Sequence, residues 1–245
     1  MAGMLNLATF RRIVSAALWT GILAGLLLTA VQSIQVIPTL LKAEVYEEKA
    51  AAAALSGYTH SSVEDGHEHQ HDQDAWKPAN GWERTFSTAV SNISLAVGFA
   101  LLLGGAICFR GGVSSWRAGL LWGLAGYAVF FVAPSLGLPP EVPGTELARL
   151  ADRQLWWLMT VLATGAGLSL LIFARTGISK ILGVVLLVVP HLIGVPQPQI
   201  HSSAAPVGLA HAFIYATALA NAVFWLAMGG LMGLFYKKWR NSKSE

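Results

Sequence analysis

Residues 13–37 read IVSAALWTGILAGLLLTAVQSIQVI, a run without a charged side chain that follows Arg11 and Arg12. An α-helix needs about 20 apolar residues to cross the hydrocarbon core of a bilayer, so this run predicts a transmembrane helix. The run is longer than the apolar part of a signal peptide, and no clear small-residue cleavage site follows it. We therefore expect the helix to be retained.

Five further apolar stretches follow, each bounded by charges, proline or tryptophan. The fifth span is the shortest and is interrupted by Pro190, so five spans is the alternative count. With 54% hydrophobic and 12% charged residues and a mean hydropathy of +0.55, the chain has the composition of a membrane protein. We predict one all-α, polytopic transmembrane bundle in the lipid bilayer, with spans at about 13–37, 86–109, 116–136, 155–174, 178–195 and 207–236.

The lysine and arginine residues predict the orientation of the bundle. In the six-span arrangement ten of them fall on one side and six on the other, and four of those six belong to the long first loop. Cytoplasmic sides carry the excess, so both termini are predicted to be cytoplasmic and residues 38–84 to form an extracytoplasmic loop. The basic residues form no clustered stripe, so nothing indicates nucleic-acid binding.

The extracytoplasmic loop changes composition along its length. Residues 42–55 are charged or alanine-rich and can continue the first helix, whereas four histidines and five carboxylates lie between His60 and Asp74. Imidazole nitrogens bind cobalt, nickel, copper and zinc, and neighbouring carboxylates add charge and ligands. A solvated acidic linker with incidental histidines is the alternative, and composition does not identify the metal. We predict metal capture by His60, His67, Glu68, His69, His71 and Asp72.

Polar side chains within the spans are candidates for an ion path, because the membrane interior penalises them. Gln32 and Gln35 lie three residues apart near the outer end of the first span, and Asn92 lies in the outer half of the second. Hydrogen bonding between helices is the alternative interpretation. No span contains an acidic residue, so the ion must pass partly hydrated, or the loop or another subunit must supply negative charge.

Three further candidates for metal contact lie towards the same outer side. His191 follows Pro190, which interrupts the helical hydrogen bonding beside an imidazole, and His211 lies in the sixth span. Glu141 belongs to a proline-rich loop at the outer surface. For the two histidines, bonding between helices is an equal alternative, and for Glu141 structural support is the default.

Glycine pairs with four-residue spacing place two small residues on one helical face, which lets helices approach closely. Contact within the bundle is the first interpretation of these pairs, and a homo-oligomer through the glycine faces is the alternative. The pairs are Gly21 and Gly25, Gly119 and Gly123, and Gly229 and Gly233.

No pattern in the sequence indicates an enzyme. A phosphate-binding glycine loop, a His-Glu-x-x-His motif and a recognisable Ser/His/Asp arrangement are all missing, and the single cysteine, Cys108, excludes a multi-cysteine metal site. We therefore predict no catalysis and no permanently bound cofactor, only a transported or transiently bound divalent metal.

Three motifs connect these features: residues 133–144 (APSLGLPPEVPG), 153–157 (RQLWW) and 190–198 (PHLIGVPQP). Together with an arginine-start first helix and a histidine-rich loop behind it, they make nearly the whole chain resemble the CbtA family of bacterial cobalt transporter subunits. The resemblance implies cobalt uptake across the inner membrane for corrinoid synthesis, and a small single-span, histidine-bearing partner of the CbtB type. It also implies metal contacts at Glu141, His191 and the loop histidines. Family members commonly have five spans, against six predicted here.

The leading hypothesis is a subunit of an inner-membrane cobalt uptake transporter, in which the loop captures ions and a polar path between helices conducts them. The first alternative is a nickel, zinc or copper transporter, or a capture subunit that serves a separate permease. The second, from another class, is a membrane metal sensor or scaffold that moves no ions.

Overall fold

The computed structural model of the protein describes residues 7–57, 78–79 and 81–241. Within these ranges every long element is a helix, which confirms the predicted all-α fold. The histidine-rich part of the first loop, with His60, His67, Glu68, His69, His71 and Asp72, lies outside the described residues. The helices are α1 (Leu7–Gly57), α2 (Trp82–Phe109), α3 (Trp116–Ser135), α4 (Leu150–Phe173), α5 (Gly177–Ile193) and α6 (Val207–Asn241).

Five of the six helices, all except α5, are long and apolar enough to cross a membrane. The 17 residues of α5 span about 26 Å, somewhat less than a hydrocarbon core of about 30 Å. This helix runs antiparallel to α4, with Gly183 against Gly167 in the middle and Pro190 hydrogen-bonded to Trp156 near the outer end. It therefore covers the same depth as most of α4, as a sixth crossing would.

Helix α1 is much longer than the predicted first span. It continues through Pro38 to Gly57, so residues 38–57 of the segment predicted as a loop are helical. Two contacts hold this outer part: Glu44 accepts hydrogen bonds from both terminal nitrogens of Arg84, and the buried Ala43 packs in a small apolar cluster. These contacts offset the backbone hydrogen bond that proline removes from the helix.

Helices α1, α2, α3 and α6 surround one apolar core, and its small residues set the distances between them. A side-chain carbon at Gly21 or Gly25 would meet the backbone of α2 at Val97 or Ile93, at 2.6 Å from either Cα. Gly119 and Gly123 face Gly229 and its neighbours on α6 in the same way. All three glycine pairs thus pack within the chain, so a homo-oligomer would have to use another surface.

A π-helical turn in α3, residues 128–132, joins this bundle to the α4–α5 hairpin. The ring of Phe130, within this turn, stacks on Trp225 at a centroid distance of 5.3 Å and contacts Phe99 at 4.9 Å. On its other side it approaches Trp157 of α4 at 6.4 Å. A single wider turn thereby places one aromatic side chain between three helices, an arrangement for which π-turns are well suited.

The two ends of the bundle carry opposite charge. At one end, which we call the acidic end, lie all seven described carboxylates with five cations: Glu44, Glu47, Glu48, Glu83, Glu141, Glu146 and Asp152, with Lys42, Lys49, Arg84, Arg149 and Arg153. At the other, the basic end, the charged side chains that the structure describes are all cations: Arg11, Arg12, Arg110, Arg117, Arg175, Lys180, Lys237 and Lys238. The fold is therefore strongly polarised along its long axis.

Candidate ion-binding site at the acidic end

A cleft of about 930 Å³ opens at the acidic end, between the outer part of α1, the connection from α3 to α4, and the start of α4. Its wall is mostly apolar, and its ionisable side chains come from all three elements. Side chains that line it include Leu40, Glu47, Glu141, Arg153, Gln154 and Trp157.

The proline-rich connection keeps its shape because it is tied to two other segments. Val142 is buried against Ala43 of α1 and Ala205 of the segment before α6. The amide of Ala204 donates to the carbonyl of Gly144 at 2.9 Å, in a short antiparallel bridge. Gly144 has a φ of +75°, which favours glycine, and a side chain there would press on Ala204. The cleft therefore has a stiff wall.

Within the cleft, Glu141 and Arg153 form an ion pair, with 2.9 Å between the guanidinium nitrogen and the carboxylate oxygen. Their side chains are 29% and 25% exposed, so the pair is partly removed from water. Burial raises the pKa of Glu141, and the charge of Arg153 opposes that rise. A cation that binds Glu141 would compete with Arg153 for the charge of this carboxylate.

Replacing Arg153 with glutamine should lower stability most at neutral pH. The pKa of Glu141 is raised in the folded protein, so the folded state binds the proton more tightly and stability falls as pH rises above the ordinary carboxyl value of 4.5. Without Arg153 the pKa of Glu141 rises further, so the stability of the protein continues to fall up to a higher pH. We expect a cost below about 1 kcal/mol, because the pair is partly exposed.

Melting temperatures of the purified protein between pH 5 and 8 would check this expectation. The Arg153→Gln variant should recover part of its loss as the pH falls, and Arg153→Lys should behave like the wild type. The double variant Glu141→Gln, Arg153→Gln should not recover. A loss in Arg153→Gln that is constant across this pH range would mean that Arg153 acts through contacts other than Glu141.

His191 lies at the C-terminal end of α5, towards the acidic end, and is half-buried against Trp156 of α4. The two rings meet edge to face with 5.8 Å between centroids, and the indole nitrogen of Trp156 donates to the carbonyl of Pro190 at 3.2 Å. That hydrogen bond satisfies one of the last carbonyls of the helix, which have no partner within it. Trp156 thereby fixes the position of His191 relative to α4.

The other candidate ligands do not converge on His191. His211 is exposed on the second turn of α6, and His201 is exposed and bonded to Gln197. In the part of the chain that the structure describes, no three His, Cys, Asp or Glu side chains lie close enough together to hold a metal ion. Glu141, His191 and His211 therefore share an end of the protein without forming one site.

A second polar group lies deeper, between α1 and α2. The amide nitrogen of Asn92 donates to the side-chain oxygen of Gln32 at 2.7 Å and to the hydroxyl of Thr29 at 3.0 Å. Asn92 and Thr29 are buried, whereas the side chain of Gln35 is exposed and takes no part. Two of the three predicted path residues thus meet, and Thr29 joins them.

Below this polar cluster the bundle is closed by apolar side chains. The rings of Phe99, Phe130 and Trp225 fill the middle, and Met228 and Ile107 are fully buried towards the basic end. Thr20 is the one buried polar residue of α1 in this lower part, and its hydroxyl has no hydrogen-bond partner. The described conformation therefore has a polar half towards the acidic end and a sealed half towards the basic end.

Comparison with protein families agrees with this arrangement. Residues 10–237 match the family model described as "Probable cobalt transporter subunit (CbtA)". The chain belongs to the CbtA family. No curated protein and no solved structure matches it.

In this CbtA chain the three sequence motifs meet at the acidic end. Residues 138–144 of the first motif line the cleft and supply Glu141, and residues 153–157 supply its partner Arg153 and Trp157. Residues 190–198 include Pro190 and His191, which both contact Trp156. CbtA is thus a multi-pass membrane protein of a cobalt transporter family, and these motifs build its acidic end.

Two contributors to the candidate site were missed from the sequence. Glu47 reaches the cleft because α1 remains helical beyond Pro38, and the helix-prone composition of residues 42–55 was the available signal. Thr29 lies three residues before Gln32, on the same helical face, and this spacing could have indicated its role.

Proposed function

We propose that this CbtA chain is the membrane subunit of a bacterial inner-membrane cobalt uptake transporter, with the acidic end outside and both termini in the cytoplasm. The observation that carries the proposal is that the three motifs meet at that end, where two of them line a cleft. The excess of carboxylates there attracts divalent cations, and the cationic opposite end agrees with the charge bias of cytoplasmic surfaces.

In this proposal the histidine-rich segment between His60 and Asp74 collects ions, and the cleft receives them. The cleft has a volume of about 930 Å³, whereas one water molecule occupies about 30 Å³. It therefore has room for many water molecules as well as a bare ion. The ion can therefore enter with its water shell. Glu141 exchanges Arg153 for the ion, and His191 offers an imidazole nearby.

From the cleft the ion passes to the polar cluster of Gln32, Asn92 and Thr29. These side chains are neutral, so they replace water ligands without neutralising the ion. Passage further inward requires the aromatic layer around Phe130 to move. A small single-span, histidine-bearing subunit of the CbtB type is the proposed partner in this step, since another chain can supply the ligands that the inner half lacks.

Uptake of labelled cobalt in cells tests the proposal directly. Cells that express this chain with the partner subunit should accumulate cobalt above cells that express neither, and a tenfold excess of zinc or nickel should reduce that accumulation only slightly. Equal accumulation with and without both chains would reject the transport function. If nickel, zinc or copper competes more strongly than this, that metal and not cobalt is the cargo.

The sealed inner half favours one alternative in particular, a capture subunit that delivers metal to a separate permease. In that case purified protein in liposomes would bind cobalt at the acidic end and release none into the lumen. A membrane metal sensor or scaffold would leave uptake unchanged in cells while still binding cobalt. The liposome and cell measurements together separate these three roles.

Deleting residues 60–74 should raise the cobalt concentration needed for half-maximal uptake and leave much of the maximal rate. The reason is that a collector increases the local ion concentration without forming the path itself. The matched control for loop length keeps residues 60–74 and changes each histidine within them to asparagine. Loss of uptake at all cobalt concentrations would place the loop within the path.

A further inference from the structure

Two arginines of the basic end, Arg110 and Arg175, flank the C-terminal end of α4, and none of the described carboxylates lies at that end. Arg110 follows α2, and its guanidinium carbon lies 3.8 Å from the ring centroid of Phe173, the last residue of α4. Arg175 comes two residues later, so its Cα lies within about 7 Å of that of Phe173. Neither arginine forms an ion pair within the described part of the chain, whose carboxylates all lie at the opposite end.

Such a pair of cations is stabilised by an anion between them. A planar guanidinium forms paired hydrogen bonds with phosphate oxygens, and two of them can hold one phosphate from different sides. The ring of Phe173 orients Arg110 by a cation–π contact. Helix α5 begins at Gly177, so its free N–H groups add positive potential close by.

The surroundings of the two arginines are apolar and exposed. Phe109, next to Arg110, is 91% exposed, and Ile178, three residues after Arg175, is 82% exposed. Both belong to helices that lie within or beside the membrane. A free inorganic anion would make no use of these side chains, whereas acyl chains would cover them.

We propose that Arg110 and Arg175 bind the phosphate group of an anionic phospholipid, with Phe173 as the platform and Phe109 and Ile178 against its acyl chains. The site goes beyond the proposed transport function and does not depend on it. Its effect is to neutralise, at the basic end, positive charge that would otherwise be left without a counterion from the protein.

The test uses the purified full chain in a neutral detergent and measures its melting temperature as lipid is added. Phosphatidylglycerol with palmitoyl and oleoyl chains should stabilise the wild type in a saturable manner, and phosphatidylcholine with the same chains should have little effect. The variant Arg110→Gln, Arg175→Gln should need about tenfold more phosphatidylglycerol for half the effect, since each basic residue near a membrane surface contributes appreciably to binding anionic lipid.

The variant Lys237→Gln, Lys238→Gln is the matched control, because it removes the same charge from the same end. It should keep the wild-type response, and an equal loss in both variants would overturn the site in favour of diffuse attraction. Stabilisation by inorganic phosphate alone, or equally by both lipids, would also overturn it. If the arginine variant does not fold, a second measurement decides. Native mass spectrometry counts the phosphatidylglycerol molecules retained by Phe173→Ala and by the wild type. Equal counts reject the proposal.

Discussion

Replacing Gly119 with alanine should lower stability by about 3 kcal/mol, which is the upper part of the range for overpacked sites. Most of the protein should then fail to fold. The new methyl group would overlap the carbonyl oxygen of Gly229 and lie 2.9 Å from the Cα of Gly233. Both neighbours are backbone atoms, so no side chain can move aside and α3 must separate from α6. The yield of monodisperse protein and its melting temperature measure the effect.

Gly98→Ala is the matched control for this change. Gly98 lies within α2, and a side-chain carbon there has nothing within 4 Å. Alanine favours the helix by up to about 1 kcal/mol over glycine in water, so this variant should be as stable as the wild type or slightly more so. If both variants melt alike, the close contact between α3 and α6 does not determine stability.

Replacing Asn92 with leucine should reduce the maximal rate of cobalt uptake at least about tenfold while leaving the protein folded. Loss of one interaction worth about 1.4 kcal/mol to the barrier gives that factor. Leucine has the same branched shape and number of side-chain heavy atoms, but Gln32 and Thr29 lose their shared donor. The cost in stability should be small, near the average of about 0.6 kcal/mol for a hydrogen bond between membrane helices.

Ser94→Ala on the same helix is the control for Asn92. Its hydroxyl is exposed and donates only to the carbonyl of Val90 at 2.8 Å, so uptake should be unchanged. Melting temperatures of both variants separate folding from transport. Normal uptake by a folded Asn92→Leu protein would restrict the cluster to a structural role between α1 and α2.

The helices of this protein follow from hydropathy, because each long apolar stretch of the sequence lies in one of them. The stretch 116–136 contains α3 (Trp116–Ser135), and the stretch 178–195 overlaps α5 (Gly177–Ile193). The largest difference is α1, where Pro38 suggests an end. Proline removes one hydrogen bond, and contacts of Glu44 and Ala43 with distant residues offset that loss. Contacts of that kind are not encoded in the local pattern.

The candidate site is less predictable than the fold, because it depends on which helices become neighbours. The three-residue spacing of Gln32 and Gln35 predicted that both contribute to one path. In the structure the side chain of Gln35 is exposed, and the partner of Gln32 comes from α2. Glu141 was a candidate without a predicted partner, and the structure pairs it with Arg153, at the start of α4. The π-turn that positions Phe130 has only a local signal in the sequence, Pro134, which removes the backbone donor for the carbonyl four residues earlier.

The length of α1 has a consequence for how this protein can evolve. Its 51 residues extend for about 76 Å, more than twice the thickness of a hydrocarbon core. The outermost turns, around Ala50–Ala54, are solvent-exposed, so whole helical turns could be gained or lost there with little change to the buried contacts near Ala43. We expect natural variants to differ in this spacer, which sets how far from the lipid surface the histidine-rich segment starts.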